Sequence, residues 1–305
     1  MGKIYEALNR AESEARDSSC TDIEFDYADT GVEDGREIRD PRKARDEGDD
    51  QGFNFLRYSL GADSVFENGR VKREAAAASL VRRSHAQPSR EVTVDFSRLD
   101  PHLATFYNSD RRASEQYNKL ALSLISRAAE RGFKRVLMAS AHHGEGRTTV
   151  TLNLACALAR ARQRVLVADC DLLQPSVMRM LGLSCETGMA EAFSGNMQPG
   201  AAAVRVLPFG FNVLPTRKRV DNPVEMLAAP GFWKMLQTFD AEHDFILFDS
   251  SPLLEIGDSS LLARFTDTTL MVIRSGRVNS AEMAKAVAGF TPDDILGVVI
   301  NRAQN

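Results

Sequence analysis

Runs of apolar residues punctuate the C-terminal two-thirds of the chain: 135–140 (RVLMAS), 164–169 (RVLVAD), 211–215 (FNVLP), 245–251 (FILFDSS), 269–275 (TLMVIRS) and 295–301 (ILGVVIN). They are apolar without interruption rather than alternating. That is the pattern of parallel strands covered on both faces. Between them, 114–131, 148–162, 223–238 and 280–290 carry apolar positions at helical spacing. Alternation of this kind over residues 93–305 predicts an α/β domain with a doubly wound, mostly parallel sheet.

The first third reads differently. Within residues 1–16, Ile4, Leu8 and Ala11 fall at helical spacing among charges, which predicts a short helix. So short a helix is not stable alone and is expected to dock. Residues 17–92 contain DTGVEDGREIRDPRKARDEGDDQG, dense in both charges with little to bury. They predict a disordered linker, with REAAAASLVRR as a transient helix inside it.

Composition narrows the function classes. A net charge of −4 over 305 residues excludes a general nucleic-acid binder. No apolar run reaches the ~18 residues of a membrane span, and the N-terminus lacks a signal-peptide core. A cytoplasmic location is the expectation. The cysteines Cys20, Cys156, Cys170 and Cys185 form no CxxC pair, and Cys156 and Cys170 sit in apolar segments as expected of buried free thiols.

Candidate chemistry begins where the first strand ends. Ala141-His142-His143-Gly144-Glu145-Gly146-Arg147-Thr148 follows it and runs into an amphipathic helix. Against the phosphate-loop pattern G-x-x-x-x-G-K-[ST], Ala141 replaces the first glycine and Arg147 the lysine. The strand–loop–helix setting supports the match, because backbone N–H groups and the helix N-terminus do most of the holding. Gly144, Glu145, Gly146, Arg147, Thr148 and Thr149 are therefore the expected nucleotide contacts. Thr148 is placed for a magnesium ion; as a plain residue it would only start a helix. His142 and His143 read as exposed loop residues rather than metal ligands, and the Glu145 side chain is expected to point outward.

Asp169 and Asp171 end the second strand, and Asp249 ends FILFD in the same way. Ligands of open α/β sheets bind at that edge. Carboxylates at the end of an apolar strand need a cation or a donor, although Asp-rich turns are common in their own right. Beside a glycine loop, the three predict a magnesium–nucleotide site.

With those segments in view, residues 100–305 resemble the bacterial tyrosine kinases of capsule and exopolysaccharide systems, within the MinD/ParA-like deviant Walker P-loop ATPases. SAHHGEGRTTVTLNLACALA, RVLVADCDLLQPSV, FNVLPTRKRVDNPVEML, DFILFDSSPLLEIGDSSLL and ILGVVIN carry the likeness, and MGKIYEALNRAE does so weakly. The resemblance implies ATP and Mg²⁺, with phosphoryl transfer to protein tyrosines. It makes Asp169 the acceptor of the tyrosine proton and places Thr148, Asp171 and Asp249 at the metal. Arg147 stands at the catalytic lysine position, and Asn301 would contact adenine. Implied partners are a membrane adaptor of the polysaccharide co-polymerase type, which would recruit the protein to the inner face of the cell membrane, and further copies of the chain.

The chain departs from that pattern at several points. Leu173 stands at the arginine of the family's Asp-x-Asp-x-Arg, and Glu115, Asn118 and Ala121 stand where ring assembly uses Glu-x-x-Arg-x-x-Arg. No tyrosine follows Tyr117, so the family's C-terminal tyrosine cluster is missing; Tyr27, in EFDYADTG, has the look of a kinase substrate. Three readings stay open: a tyrosine kinase of polysaccharide export, a catalytically weak nucleotide-binding scaffold of the same machinery, and a MinD/ParA-type positioning ATPase.

Overall fold

A strand that is apolar on both sides must be covered on both sides, and the computed structural model meets that demand. It describes residues 90–302 apart from 108–109 and 256–258, together with short strands at 25–27, 66–67 and 70–71. The strands are β1 (Phe25–Tyr27), β2 (Phe66–Glu67), β3 (Arg70–Val71), β4 (Arg90–Thr93), β5 (Arg135–Ala139), β6 (Val165–Cys170), β7 (Val204–Leu207), β8 (Phe211–Leu214), β9 (Phe245–Ser250), β10 (Thr268–Arg274) and β11 (Ile295–Asn301). Nine of them form one sheet in the order β1-β11-β10-β5-β9-β6-β8-β7-β4. Only the β1–β11 and β7–β8 pairings in it are antiparallel. The other two strands, β2 and β3, pair with each other in a separate unit spanning residues 29–79.

Alternate side chains of the central strands feed two cores. Val136, Met138, Val165, Val167, Phe245, Leu247, Leu270 and Val272 face one of them. Leu137, Ala139, Leu166, Ala168, Ile246, Phe248, Met271 and Ile273 face the other. Helices α1 (Arg111–Arg131) and α2 (Arg147–Arg160) cover the first face, and α3 (Pro230–Asp240) and α4 (Ser280–Ala286) cover the second. Each large side chain buried this way contributes about 1.5–3 kcal/mol. Cys156 and Cys170 are buried free thiols.

Several boundaries differ from expectation. The helix expected over 223–238 is two helices, Pro223–Ala228 and α3, divided at Ala229 because Pro230 excludes the helical conformation at the residue before it. β7 was not anticipated; its burial alternates, as suits a strand near the sheet edge. A further strand precedes the expected start at 93, since β4 (Arg90–Thr93) pairs in parallel with β7. Within the expected linker, Phe25–Tyr27 pairs with Val299–Gly297 of β11. The expected helix over 1–16 and the remainder of 17–92 lie outside the described residues. No helix among those described is long and apolar enough to cross a membrane.

Candidate nucleotide-binding site

The parallel register brings β5, β9 and β6 to a common carboxyl edge, with Asp169 directly opposite Asp249. From β5 the chain turns through Ser140–Gly146 into α2. Gly144 and Gly146 hold φ of 78° and 88°, a conformation that favours glycine. Gly146 is the N-cap of α2 and no side chain caps it, so the first-turn N–H groups point out of the helix. Asn301, at the end of β11, donates its Nδ2 to the Glu145 carbonyl at 2.8 Å. A Cβ on Gly146 would lie 1.9 Å from that nitrogen. Asn301 thus clasps the loop through its backbone.

Glu145 does not point outward. Its side chain is buried, with Oε2 accepting the His142 N–H at 2.8 Å and Oε1 accepting the Arg274 N–H at 3.4 Å. Burial raises its pKa against the pull of these donors. A carboxylate folded under its own loop satisfies a turn N–H that has no backbone partner, and this holds it inside. His142 and His143 are half-buried rather than fully exposed and face carboxylates. His142 lies 3.4 Å from Glu255 and 3.5 Å from Glu282, and His143 lies 3.4 Å from Glu255. Glu255 also accepts the His143 backbone N–H at 3.0 Å.

The three aspartates converge, each with a different environment. Asp249 Oδ2 accepts the Thr148 hydroxyl at 2.6 Å, and that hydroxyl also meets Ser176 Oγ at 2.9 Å. Asp249 Oδ1 accepts Thr151 at 3.3 Å. Asp171 Oδ1 accepts the Gln174 N–H at 3.1 Å and Ser251 Oγ at 3.2 Å. Asp169 Oδ2 accepts the Val177 N–H at 3.1 Å, whereas its Oδ1 is buried with no hydrogen-bond partner among the described residues. Burial, then the charges of Asp249 and Asp171, hold the Asp169 carboxyl well above the usual carboxylate range. Burial raises Asp249 too, outweighing Arg147 and Thr148.

Arg147 turns inward, onto these acids. Its Nη1 donates to Ser140 Oγ at 2.7 Å and its Nη2 to Asp171 Oδ2 at 3.1 Å, and Nε lies 3.4 Å from Asp249 Oδ1. The side chain is 6% exposed. The loop, with its exposed helix N-terminus, fits a nucleotide's phosphates. The carboxylates do not fit a divalent cation in the same way, because each oxygen of Asp171 and Asp249 already meets an internal donor or the guanidinium.

The sequence-designated residues 144–149, Asp169, Asp171, Asp249 and Asn301 therefore meet at one edge, with Asn301 holding the loop. Sequence reasoning missed Ser140, Ser176, Ser251, Glu255 and Arg277. Arg277 Nη1 would stand 2.8 Å from a Cβ on Gly144. Only Ser251 had a signal, as the second residue after Asp249 at a strand end. Of the positions aligned with the ring-assembly motif, Glu115 is exposed and bonded to Arg111, while Ala121 is buried in the core and has no room for an arginine. Tyr117 is also buried, which raises its hydroxyl pKa.

Known proteins resemble this chain in sequence and fold. The family model ParA, described as NUBPL iron-transfer P-loop NTPase, matches residues 133–302. The chain is 26% identical over 207 residues to the tyrosine-protein kinase YwqD of Bacillus subtilis, covering 67% of this chain and 87% of that protein. It is 27% identical over 158 residues to the tyrosine-protein kinase wzc of Salmonella typhi, covering 51% of this chain but only 22% of wzc. The kinase domain of Escherichia coli tyrosine kinase ETK superposes with a TM-score of 0.60 at 25% identity, over 68% of this chain and 84% of that one. The BceF tyrosine kinase domain gives 0.59 at 26%, over 67% and 83%. The chain belongs to the ParA-like P-loop NTPases, and its relatives among them are bacterial tyrosine-protein kinases.

Proposed function

We propose that this protein binds ATP in the 140–149 loop and transfers its γ-phosphoryl group to tyrosine, as a regulator of polysaccharide synthesis and export. The observation that carries the reading is one sheet edge holding both an uncapped helix N-terminus after a glycine loop and three convergent carboxylates. The names of the relatives, tyrosine-protein kinases, point the same way. In this reading the tyrosine oxygen attacks the γ-phosphorus, the bond to the β–γ bridging oxygen breaks and ADP leaves. The hydroxyl proton passes to Asp169, whose unpartnered Oδ1 is the open acceptor. Asp169 can accept that proton only in its ionised form, which burial makes scarce and strongly basic, so transfer in this reading rises with pH towards the raised pKa. The protein would act in the cytoplasm and be drawn to the inner membrane face by an adaptor.

A second reading, a nucleotide-binding regulator with little transfer, is favoured by one observation. Arg147 is committed to the carboxylates and so is not free to meet the phosphates as the lysine of such loops does. The test is mass-detected phosphate on tyrosine after incubating the purified chain with ATP, with and without a candidate membrane adaptor, beside calorimetry with ADP. Tyrosine phosphate upholds the first reading, and ADP binding without transfer leaves the second. No ADP binding at millimolar concentration removes both.

A further inference from the structure

Magnesium binds oxygen ligands at about 2.0–2.1 Å in near-octahedral geometry and gives up its water reluctantly. Asp171 and Asp249, on neighbouring parts of the sheet edge, offer it no oxygen that is not already engaged. Asp171 Oδ2 lies 3.1 Å from Arg147 Nη2, and Asp171 Oδ1 is held by Gln174 and Ser251. Asp249 Oδ1 lies 3.4 Å from Arg147 Nε, and Asp249 Oδ2 takes the Thr148 hydroxyl. That hydroxyl is the one such loops offer to the metal, and it is tied to Ser176 as well. Among the described residues, no three His, Cys, Asp or Glu side chains are grouped to hold a metal ion.

The cation that meets these acids is the guanidinium itself. Ser140 Oγ accepts from its Nη1 at 2.7 Å and helps to fix it. Moving it away would leave two buried carboxylates without a countercharge, the costly way to break a buried ion pair. A metal ion entering beside it would meet a positive charge.

We propose that Arg147 is the resident cation of this site, standing in for the divalent ion between Asp171 and Asp249, so that the loop binds nucleotide without magnesium. The proposal rests on the nucleotide reading above for its second half. Its first half concerns the carboxylates alone. The phosphates are then held by the backbone N–H groups of the loop and the α2 N-terminus, which need no metal bridge. An ammonium in place of the guanidinium could not reach Ser140, Asp171 and Asp249 together, because it is a single point charge rather than a planar fork.

Two measurements on the full chain test this. In the first, ADP is titrated calorimetrically with magnesium and again with EDTA. The expected dissociation constants agree within about two-fold, whereas in Arg147→Lys magnesium tightens ADP by about ten-fold or more. In the second, aqueous Mn²⁺ is followed by its electron paramagnetic resonance signal, without nucleotide and with ADP. The parent protein is expected to leave the Mn²⁺ signal as it is in buffer alone or in ADP alone, and Arg147→Met to take up about one ion per chain beyond those references. If Arg147→Met does not fold, Arg147→Lys serves in its place. Parental ADP binding that requires magnesium, or parental uptake of Mn²⁺ that Asp171→Asn abolishes, overturns the proposal. Absence of ADP binding with or without metal overturns the nucleotide reading, and the Mn²⁺ measurement then decides the role of Arg147 on its own.

Discussion

Gly146→Ala tests whether the loop geometry is what holds the phosphates. At φ of 88° an alanine is strained by its backbone alone, at roughly 1–2 kcal/mol. Its Cβ would also stand 1.9 Å from Asn301 Nδ2 and 3.2 Å from Asn301 Cγ. The amide must rotate away, which breaks its 2.8 Å bond to the Glu145 carbonyl, a loss of about 1 kcal/mol. The loop can instead relax out of its native shape, and then it no longer presents its N–H groups together. Either route removes about 2–3 kcal/mol from the binding-competent state, which corresponds to roughly 30- to 150-fold weaker ADP. The domain should stay folded, since 1 kcal/mol lowers Tm by only about 2–4 °C at this size. Calorimetry with ADP, beside a thermal melt, reads both quantities. A folded alanine variant with parental ADP affinity would refute the assignment of this loop as the phosphate cradle.

Other consequences follow from the charges. Because the fold raises the Asp169 pKa, the native state holds a proton that the unfolded chain gives up as pH rises past the ordinary carboxylate value. Stability contributed at this position is therefore greatest in acid and falls with rising pH towards the folded pKa. Asp169→Asn should raise Tm more at pH 8 than at pH 5, by about 2–4 °C for each kcal/mol regained; an equal change at the two pH values would contradict this. Asp169→Asn should also abolish any tyrosine phosphorylation, because the amide accepts no proton, and unchanged turnover would remove Asp169 from the chemistry. Glu255 accepts the His143 N–H at the loop apex, so Glu255→Ala should tighten ADP by a few-fold, on the order of the ~1 kcal/mol of an exposed charge, and weaker binding would show that it supports the loop instead. Arg135 is 2% exposed, is paired with Asp240 and lies 4.2 Å over the Trp233 ring. Arg135→Met should lower unfolding free energy by about 3 kcal/mol in denaturant titration, and a loss below about 1 kcal/mol would mean that packing on Trp233 alone holds α3 in place.

The central strands were legible because each carries a continuous apolar run, and a run such as Phe245–Phe248 has no other stable place than a doubly covered sheet. β7 was not, because Val204–Leu207 is short and half-polar. The helix break before Pro230 could have been read from the proline itself. Among site residues, Asp169, Asp171 and Asp249 announced themselves as acids ending apolar strands, and the register then placed two of them side by side. Side-chain direction was the part the sequence withheld. Glu145 and Arg147 are neighbours on either side of Gly146, and both were expected to face the ligand side or solvent. Glu145 folds under the loop and Arg147 reaches back to acids 24 and 102 residues later, at Asp171 and Asp249. The direction of Arg147 depends on partners brought in by the sheet, so no local pattern encodes it, while Glu145 joins a local partner, His142, to Arg274 of β10.

Arg147 is held by the carboxylates and is therefore unavailable to the phosphates. The direct measurement is turnover of ATP by the parent and by Arg147→Lys, with magnesium present and ADP affinity measured alongside. Lysine is shorter and compact; it frees Asp171 and Asp249 for a metal ion and can bridge the phosphates where charge develops during transfer. ADP affinity with magnesium is expected to change no more than the metal linkage requires, and turnover to rise about ten-fold, or about 1.4 kcal/mol of transition-state stabilisation. A lysine variant no faster than the parent would contradict this, and a slower one would make Arg147 a catalytic residue to which the rest of the site is tuned.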